Sequence, residues 1–537
     1  MKIAPVTVSI KPYKGKWDTA QAAHLVKRTM FGAKWDDVIY FSNRSFKKTI
    51  KALFEEDETV PPPPLNTYND EKYTDEEIAT GQSWVTATKQ SGMNIGKRKN
   101  SLRGWWLGVM IDQKRSLREK MVLFWHNHFA TEINAVDNPI FSYKHNVLLR
   151  QYALGNFKQL LLAITTDPCM LKYLNGTNNV KKAPDENYGR ELQELFTIGK
   201  DNGPHYTEDD VKAAARVLTG FRIDNKVLAD AHGIFEPNRH DTTDKQFSSF
   251  YNNHIIKGNK DKEGANELND MIDMILQQEE VSRYICRKLY RFFVYHAIDE
   301  DTEKNIIDPL AKIFRKSNYE IKPVLQQLFS SRHFFDAANK GALIKSPVDF
   351  CVGLCREYNI SFPGQEDIVS QYALWYNIQN SAGQLQQSIG DPPNVAGWAA
   401  YYQVPQFDKI WINSDTLPKR NQFTDRMINN GFAKDKQKIV IDVIAYTQTF
   451  SNAGNPDALI EEAVQRLYSV PLPDKEKQYL KQGILLSGLQ GKMSDHYWTD
   501  AWMKLSDASD TANRKDVTSK LRKLYQYLMN LPQYQLY

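Results

Sequence analysis

Apolar residues recur every three to four positions along most of the chain, and this spacing predicts amphipathic α-helices. The clearest pattern covers residues 19–30 and stops at Phe31-Gly32. Long helices are also predicted through 76–131, with breaks near Gly92 and Lys114. Further helices are predicted at 36–42, 46–54, 139–154, 157–166, 184–198, 207–219, 264–278, 279–296, 302–317, 320–330, 346–358 and 366–385. We therefore expect a mainly α fold, a large multi-helix globular bundle.

Two stretches interrupt the helical pattern. Residues 222–262 carry short apolar runs between turn residues, which predict a small hairpin or an irregular insertion. Four consecutive prolines at 61–64 cannot continue a helix, so they predict a stiff linker. We expect three regions: N-terminal helices and a Pro-rich linker over 1–75, a main helical domain carrying the candidate site over 76–430, and a C-terminal helical region packed on it over 431–537.

Charge and hydropathy narrow the function classes. The net charge is only +5, and the basic runs at 97–99 and 520–523 have no binding motif beside them, so we expect no nucleic-acid partner. No stretch approaches the roughly 20 apolar residues that span a bilayer, so we expect no transmembrane segment. The first 18 residues lack the apolar core of a secretion signal, which predicts a cytoplasmic location by default; export by another route stays an alternative.

Two histidines, His126 and His128, lie in a segment that is apolar over most of its helical circumference, which predicts a buried helix. Side chains two residues apart point about 200° apart on an ideal helix, so the two imidazoles converge on one ion only if the helix ends or bends between them. Two interpretations stay open. Each is a core histidine bonded to a neighbouring carbonyl or carboxylate, or at least one is a metal ligand or proton carrier.

Acidic residues are concentrated in residues 183–199. Glu186, Arg190 and Glu194 are spaced by four, which is typical of ion pairs on a helix surface. Glu191 instead borders the apolar stripe of the same helix, where a carboxylate is costly unless it is paired or binds a cation. Glu191 is therefore a candidate site residue, and a structural salt bridge is the alternative.

The insertion contributes a second candidate, His240-Asp241. A His-Asp pair on a loop can orient an imidazole for metal binding or base catalysis, and solvated loop residues are the alternative. The four cysteines, Cys169, Cys286, Cys351 and Cys355, form no CxxC pair, and we expect buried free thiols. The sequence also lacks HExxH, Walker A, GxSxG and dinucleotide-binding signatures, which disfavours the commonest enzyme classes that use them.

An ordered series of short blocks extends from about residue 23 to 535. They include HLVKRTMFG, REKMVLFWHNHFAT, PDENYGRELQELFTIG, HYTEDDVKAAARVLTGF, SRYICRKLYRFFV, LIKSPVDF, DPPNVAGW and LMNLPQYQ. Together they resemble the bacterial family catalogued as domain of unknown function 1800. Gly189 stands where such proteins usually have Ala. The resemblance implies no known activity. It implies a sulfatase-like protein encoded nearby as a partner. It also implies a location in the cell envelope, as an alternative to the cytoplasmic default.

Two hypotheses follow, and whether the protein is an enzyme at all stays open. The first is a metal-dependent enzyme with a buried site between helices that binds iron, manganese or zinc. Its metal ligands are His126, His128, Glu186, Glu191 and Glu194, and its catalytic residues are Glu191, His240 and Asp241. The second is a non-catalytic scaffold or chaperone for the sulfatase-like partner, in which buried histidines and acids form a structural polar network. A metal-free hydrolase using Glu191 and Asp241 is a third class.

Overall fold

The computed structural model describes residues 8–55, 60–200, 205–489 and 493–537, and helices dominate it. The start of the chain, on which the location expectation partly rests, lies outside the described residues. The first half contains α1 (Thr19–Thr29), α2 (Trp35–Ser42), α3 (Phe46–Leu53), α4 (Gly92–Ile111), α5 (Arg118–His128), α6 (Ile133–Val136), α7 (Pro139–Gln151), α8 (Phe157–Thr165), α9 (Pro168–Tyr173), α10 (Asn187–Glu191) and α11 (Glu208–Val217). The mainly α fold is confirmed.

The insertion after α11 is built from two short hairpins. The strands are β1 (Phe221–Asp224), β2 (His232–Phe235), β3 (Lys245–Gln246) and β4 (Ile255–Ile256). β1 pairs antiparallel with β2, and β3 pairs antiparallel with β4. Gly220 precedes β1 with a φ of 94°, a conformation that other residues rarely adopt. The predicted hairpin insertion is thus confirmed.

Helices resume after the insertion. They are α12 (Glu267–Leu276), α13 (Glu279–Phe293), α14 (Glu300–Thr302), α15 (Asp308–Lys316), α16 (Ile321–Phe329), α17 (Pro347–Glu357), α18 (Ile368–Gln384), α19 (Thr416–Asn429), α20 (Val443–Gln448), α21 (Pro456–Leu467), α22 (Asp474–Tyr479), α23 (Ser494–Met503) and α24 (Thr511–Asn530). A third hairpin, β5 (Phe432–Lys434) with β6 (Gln437–Ile439), separates α19 from α20. Among the described residues, no helix combines the length and apolar character needed to cross a membrane.

The sequence-based helix prediction is wrong at residues 76–91, which are irregular apart from one 3₁₀ turn at Trp84–Thr86. The carboxylate just before this stretch contacts the loop and α4 instead of starting a helix. Asp75 accepts hydrogen bonds from the Glu77 backbone at 3.1 Å and from the Arg98 guanidinium at 2.8 Å. Because Arg98 is buried in α4, this ion pair fixes the loop against the helix.

The Pro-rich segment is also fixed on α4. The indole of Trp105 donates a hydrogen bond of 2.7 Å to the carbonyl of Pro62. The same turn of α4 approaches α18 closely, because Gly104 leaves the space that a side chain would fill. One hydrophobic core connects Leu25 of α1 to Tyr534 near the C-terminus. The division into three regions stays a prediction.

Candidate metal centre

Helix α5 lies inside the protein, and every residue from Glu119 to His128 is buried. The His126 ring packs edge-on against Trp106 and Trp398, with centroids 4.9 and 5.6 Å away. Burial, and next the nearby imidazole of His145, lower the pKa of His126 to about 3. Its Nε2 atom is buried and has no hydrogen-bond partner among the described residues. His126 is therefore a neutral imidazole with an unused ring nitrogen.

His128 faces different neighbours, and both of its ring nitrogens have partners. Nε2 lies 3.1 Å from the carbonyl oxygen of Phe196, and Nδ1 lies 2.9 Å from the ammonium of Lys288. Since the carbonyl can only accept, Nε2 carries the proton and Nδ1 accepts from the lysine. Burial and the Lys288 charge hold the pKa of His128 well below its usual value. His128 is thus a hydrogen-bonded core histidine.

The predicted acids of residues 183–199 separate into two kinds. Glu186 pairs with Arg190 at 3.1 Å, and Arg190 also pairs with Glu208 at 2.7 Å. Glu194 pairs with Lys200 rather than with Arg190. Glu186 therefore belongs to an ion pair with the spacing of four residues that the sequence indicated, whereas Glu194 pairs outside that spacing.

Glu191 has no such partner. Its Oε2 atom is buried and makes no hydrogen bond to the described residues. Burial, and next the charge of Glu194, raise the pKa of Glu191. Tyr173 is close enough for the Glu191 charge to raise the phenol pKa as well. The environment of Glu191 therefore disfavours its ionised form.

His240 and Asp241 are adjacent in sequence but contact different partners. The Nδ1 atom of His240 lies 2.9 Å from the Thr219 carbonyl, and its Nε2 atom lies 3.1 Å from the carboxylate of Glu267. That carboxylate also binds the buried ammonium of Lys245. His240 and Asp241 therefore do not pair with each other in the way that the sequence indicated.

The Asp241 carboxylate instead accepts a hydrogen bond of 2.8 Å from Arg216. Burial acts to raise the pKa of Asp241, but hydrogen bonds from Arg216 and Thr243 outweigh it and hold the pKa well below its usual value. Asp241 is therefore ionised and paired.

A different set of side chains meets between α7 and α9. In the described part of the chain, the group of at least three potential metal ligands is His145, Asp167 and Cys169, and one ligand atom of each lies within 4.8 Å of the others. We call these three residues the ligand cluster. The structure does not bring the sequence-predicted ligands His126, His128 and the glutamates together in such a group.

Local sequence explains how α9 supplies two members of the cluster. Asp167 is the N-cap of α9 and accepts a hydrogen bond from the Met170 backbone at 3.1 Å, while Pro168 occupies the first turn. The same carboxylate oxygen lies 2.9 Å from Nδ1 of His145. The Nε2 atom of His145 is buried without a hydrogen-bond partner among the described residues. Asp167 therefore orients His145 and leaves its second nitrogen unused.

Cys169 completes the cluster as a fully buried free thiol. Burial, and next the charge of Asp167, raise the pKa of Cys169 despite hydrogen bonds with Thr131 and Ser142. Cys286, Cys351 and Cys355 are buried free thiols too, as predicted. Sequence reasoning missed the cluster because its members are not spaced as a motif. The available signal was Asp167-Pro168-Cys169, an N-cap and first-turn pattern that places a cysteine beside a carboxylate.

Next to the ligand cluster lies a half-buried group of Glu132, Tyr173 and Glu191, which we call the carboxylate group. The Tyr173 hydroxyl donates a hydrogen bond of 2.7 Å to Glu132. Burial raises the pKa of Tyr173, and the charges of Glu132, Cys169 and Glu191 act in the same direction. Tyr173 therefore packs near the buried thiol and is hydrogen-bonded to one of the carboxylates nearer the surface.

The loop at residues 390–398 covers α5 beside His126. The Trp398 backbone donates a hydrogen bond of 2.8 Å to the Asn127 side chain. Gly397 has a φ of 87°, and a Cβ atom there would lie 2.4 Å from the Asn127 carbonyl oxygen. Only glycine fits this approach, so the loop is a packed cover for the histidine.

These features define a mainly α protein with an enclosed group of potential metal ligands. Residues 24–536 match the family described as protein of unknown function (DUF1800), and the chain therefore belongs to that family. The match covers nearly the whole chain and confirms the resemblance of the sequence blocks. Comparisons with curated proteins and with solved structures found no match.

Proposed function

We propose that this protein is a metal-dependent enzyme that holds one transition-metal ion at the ligand cluster. The observation that supports the proposal is the convergence of His145, Asp167 and Cys169, whose ligand atoms lie within 4.8 Å of one another in the interior. Unpaired polar atoms are rare in protein interiors, and each one calls for an explanation. A bound ion supplies that explanation for the unpaired Nε2 atom of His145.

The arrangement of hydrogen bonds favours His145 as a ligand through Nε2. Metal-binding histidines usually donate their other ring N–H to a carboxylate, which fixes the tautomer. The 2.9 Å contact between Nδ1 of His145 and Asp167 provides this partner. Asp167 therefore orients His145 from the side away from the ion, and the proposed direct ligands are His145 and Cys169. His126, whose Nε2 is also unused, is the proposed additional ligand from the sequence-predicted set.

The donor set narrows the choice of metal. A thiolate from Cys169 and imidazole nitrogens suit zinc or iron better than manganese, which prefers oxygen donors. Metal binding requires the thiol to lose its proton, so uptake of the ion releases a proton and depends on pH. Of the three metals that the sequence suggested, zinc and iron are the proposed ones.

The carboxylate group supports a catalytic role for the ion. Glu191 has an unpaired oxygen and a raised pKa, which are properties of a general acid or base. It lies next to Tyr173, whose neighbours also include Cys169 of the ligand cluster. We assign Glu191 the role of proton carrier. His240 and Asp241 receive no role in this proposal, because they are engaged with Glu267 and Arg216.

A non-catalytic scaffold with a structural ion is the second candidate, and one observation favours it. His145, Asp167 and Cys169 are 2%, 3% and 0% exposed. Structural metal sites are closed by protein ligands, whereas catalytic sites keep one position for water or substrate. The rate at which a chelator removes the ion separates the two candidates. A catalytic ion that reaches solvent leaves the folded protein, whereas a structural ion leaves only when the protein unfolds.

Elemental analysis of the purified protein tests the proposal. We expect near-stoichiometric zinc or iron in the wild type and its loss in His145→Ala and Cys169→Ala. The matched controls are Cys286→Ala, which removes another fully buried thiol, and His128→Gln, which removes an imidazole whose nitrogens are both engaged. A metal-free wild type, or folded cluster variants that keep their metal, would overturn the assignment.

A further inference from the structure

A mostly apolar cleft of about 620 Å³ lies between the Pro-rich segment, α4 and α18. Its walls include Pro62, Trp105, Tyr372 and Trp375, and none of the ligand cluster lines it. The volume is in the range of pockets that bind small molecules. The cleft is therefore a second candidate site, separate from the proposed metal centre.

The walls of this cleft are held in place by contacts within the protein. Trp105 donates to the Pro62 carbonyl at 2.7 Å, and the Leu65 backbone donates to the Tyr372 hydroxyl at 3.2 Å. Trp375 packs directly over Gly108, where a Cβ atom would lie 2.5 Å from the indole ring. A cleft with fixed aromatic walls binds a ligand without a large cost of ordering side chains.

Three polar side chains that line the cleft have buried atoms without a hydrogen-bond partner in the described part of the chain. They are Trp375 through Nε1, Arg118 through Nε, and Gln113 through both Nε2 and Oε1. Trp375 is only 7% exposed, so its N–H is a buried donor. A buried donor or acceptor left unpaired costs about 1–3 kcal/mol. These atoms favour a ligand that supplies hydrogen bonds as well as apolar surface.

Gln113 defines the chemistry of that ligand. Its side-chain amide offers a donor and an acceptor next to each other, and an amide whose N–H and carbonyl lie on the same edge pairs with both at once. The aromatic and proline walls suit an apolar body beside this amide. We propose that the cleft binds a small apolar molecule that carries an amide group, with the amide paired to Gln113 and the apolar body between Trp105 and Trp375.

Two isosteric probes test this proposal on the full chain by ligand-observed NMR titration. Benzamide carries an amide N–H and a carbonyl on the same edge, whereas acetophenone replaces the NH2 group by a methyl group and keeps the carbonyl. We expect the amide to bind the wild type about twofold to tenfold more tightly than the ketone, which is the effect of one neutral hydrogen bond. Failure of both probes to bind, or equal affinity for the two, would overturn the proposal.

Variants locate the binding. Gln113→Leu should remove the preference for the amide, and the matched control Gln533→Leu, which also removes a buried unpaired oxygen but does not line the cleft, should keep it. Gln113→Glu is the second variant, because it keeps the oxygen that accepts from the ligand N–H and loses the donor to the ligand carbonyl, so it should weaken both probes and keep the preference for the amide. Thermal unfolding establishes that each variant is folded. Loss of the preference for the amide in folded Gln113→Glu, or its survival in folded Gln113→Leu, would contradict the assignment. The metal content of the wild type does not enter this test, so its outcome is distinguishable from that of the proposed function.

Discussion

Nδ1 of His145 lies 2.9 Å from a carboxylate oxygen of Asp167, and both side chains are buried. The same oxygen caps the first turn of α9, so one carboxylate both starts the helix and orients the imidazole. This double contact fixes the position of Cys169, two residues further along α9, relative to His145. The proposed metal centre therefore depends on the geometry of a helix N-terminus.

The first prediction concerns that carboxylate. Asp167→Asn should weaken metal binding by about 10- to 100-fold, because the partner that fixes the histidine tautomer loses its charge. The helix itself should remain, since asparagine caps helices about as well as aspartate. Competition titration with a chromophoric chelator measures the affinity. Asp442→Asn is the control, because Asp442 caps α20 in the same way and lies outside the ligand cluster. Unchanged affinity in Asp167→Asn would argue against an orienting role.

The second prediction separates Glu191 from the ligands. Glu191→Gln should keep the full metal stoichiometry in elemental analysis, because Glu191 is not part of the ligand cluster. The sequence hypothesis that Glu191 is a ligand predicts the opposite, a sharp loss of metal. Glu186→Gln, which changes an acid in a surface ion pair, is the control.

The third prediction follows from the raised pKa of Glu191. A carboxyl group whose pKa is higher in the folded than in the unfolded protein does not lower the free energy of unfolding at pH values below its unfolded pKa of about 4.3. It lowers that free energy as the pH rises through the folded pKa. Glu191→Gln should therefore raise the urea midpoint at neutral pH and leave it unchanged at acidic pH below 4.3. Equal effects at both pH values would contradict the raised pKa.

The fourth prediction concerns the buried ion pair behind His240. Lys245 and Glu267 have side chains with 0% exposure. Glu267→Gln leaves the Lys245 ammonium without its anion, and we expect a loss of about 3–5 kcal/mol in the free energy of unfolding. Denaturant titration measures the loss. Asp244→Asn breaks the exposed pair with Lys257 and should leave the midpoint almost unchanged. Similar midpoints for the two variants would show that burial of the pair is unimportant.

The fifth prediction compares two glycines of α4. Gly108→Ala should destabilise the protein by about 1–3 kcal/mol, because the new methyl group collides with the rigid ring of Trp375. Gly96→Ala should stabilise it by about 0.4–1 kcal/mol, since nothing lies within 4 Å and the unfolded chain loses freedom. Opposite shifts of the urea midpoint are the expected result. Shifts in the same direction would contradict the close packing of α4 on α18.

The sequence by itself determined the elements. The apolar spacing of residues 19–30 predicted α1 to within one residue at its end, and the turn-rich stretch 222–262 predicted a hairpin that β1 and β2 form. The apolar circumference of residues 116–129 predicted that His126 and His128 are buried, as they are. These features are local because helical and strand periods follow from backbone geometry, which each short segment carries in its own residues.

The tertiary structure decided which polar groups meet. His145 and Asp167 are 22 residues apart, and His128 and Lys288 are 160 residues apart, so no local pattern records either contact. Residues 76–91 show the same effect, since Asp75, just before them, pairs its carboxylate with Arg98 of α4 instead of starting a helix. The physical reason is that a hydrogen bond requires a separation of about 3 Å, and only the packing of α7 on α9 or α5 on α13 sets such distances.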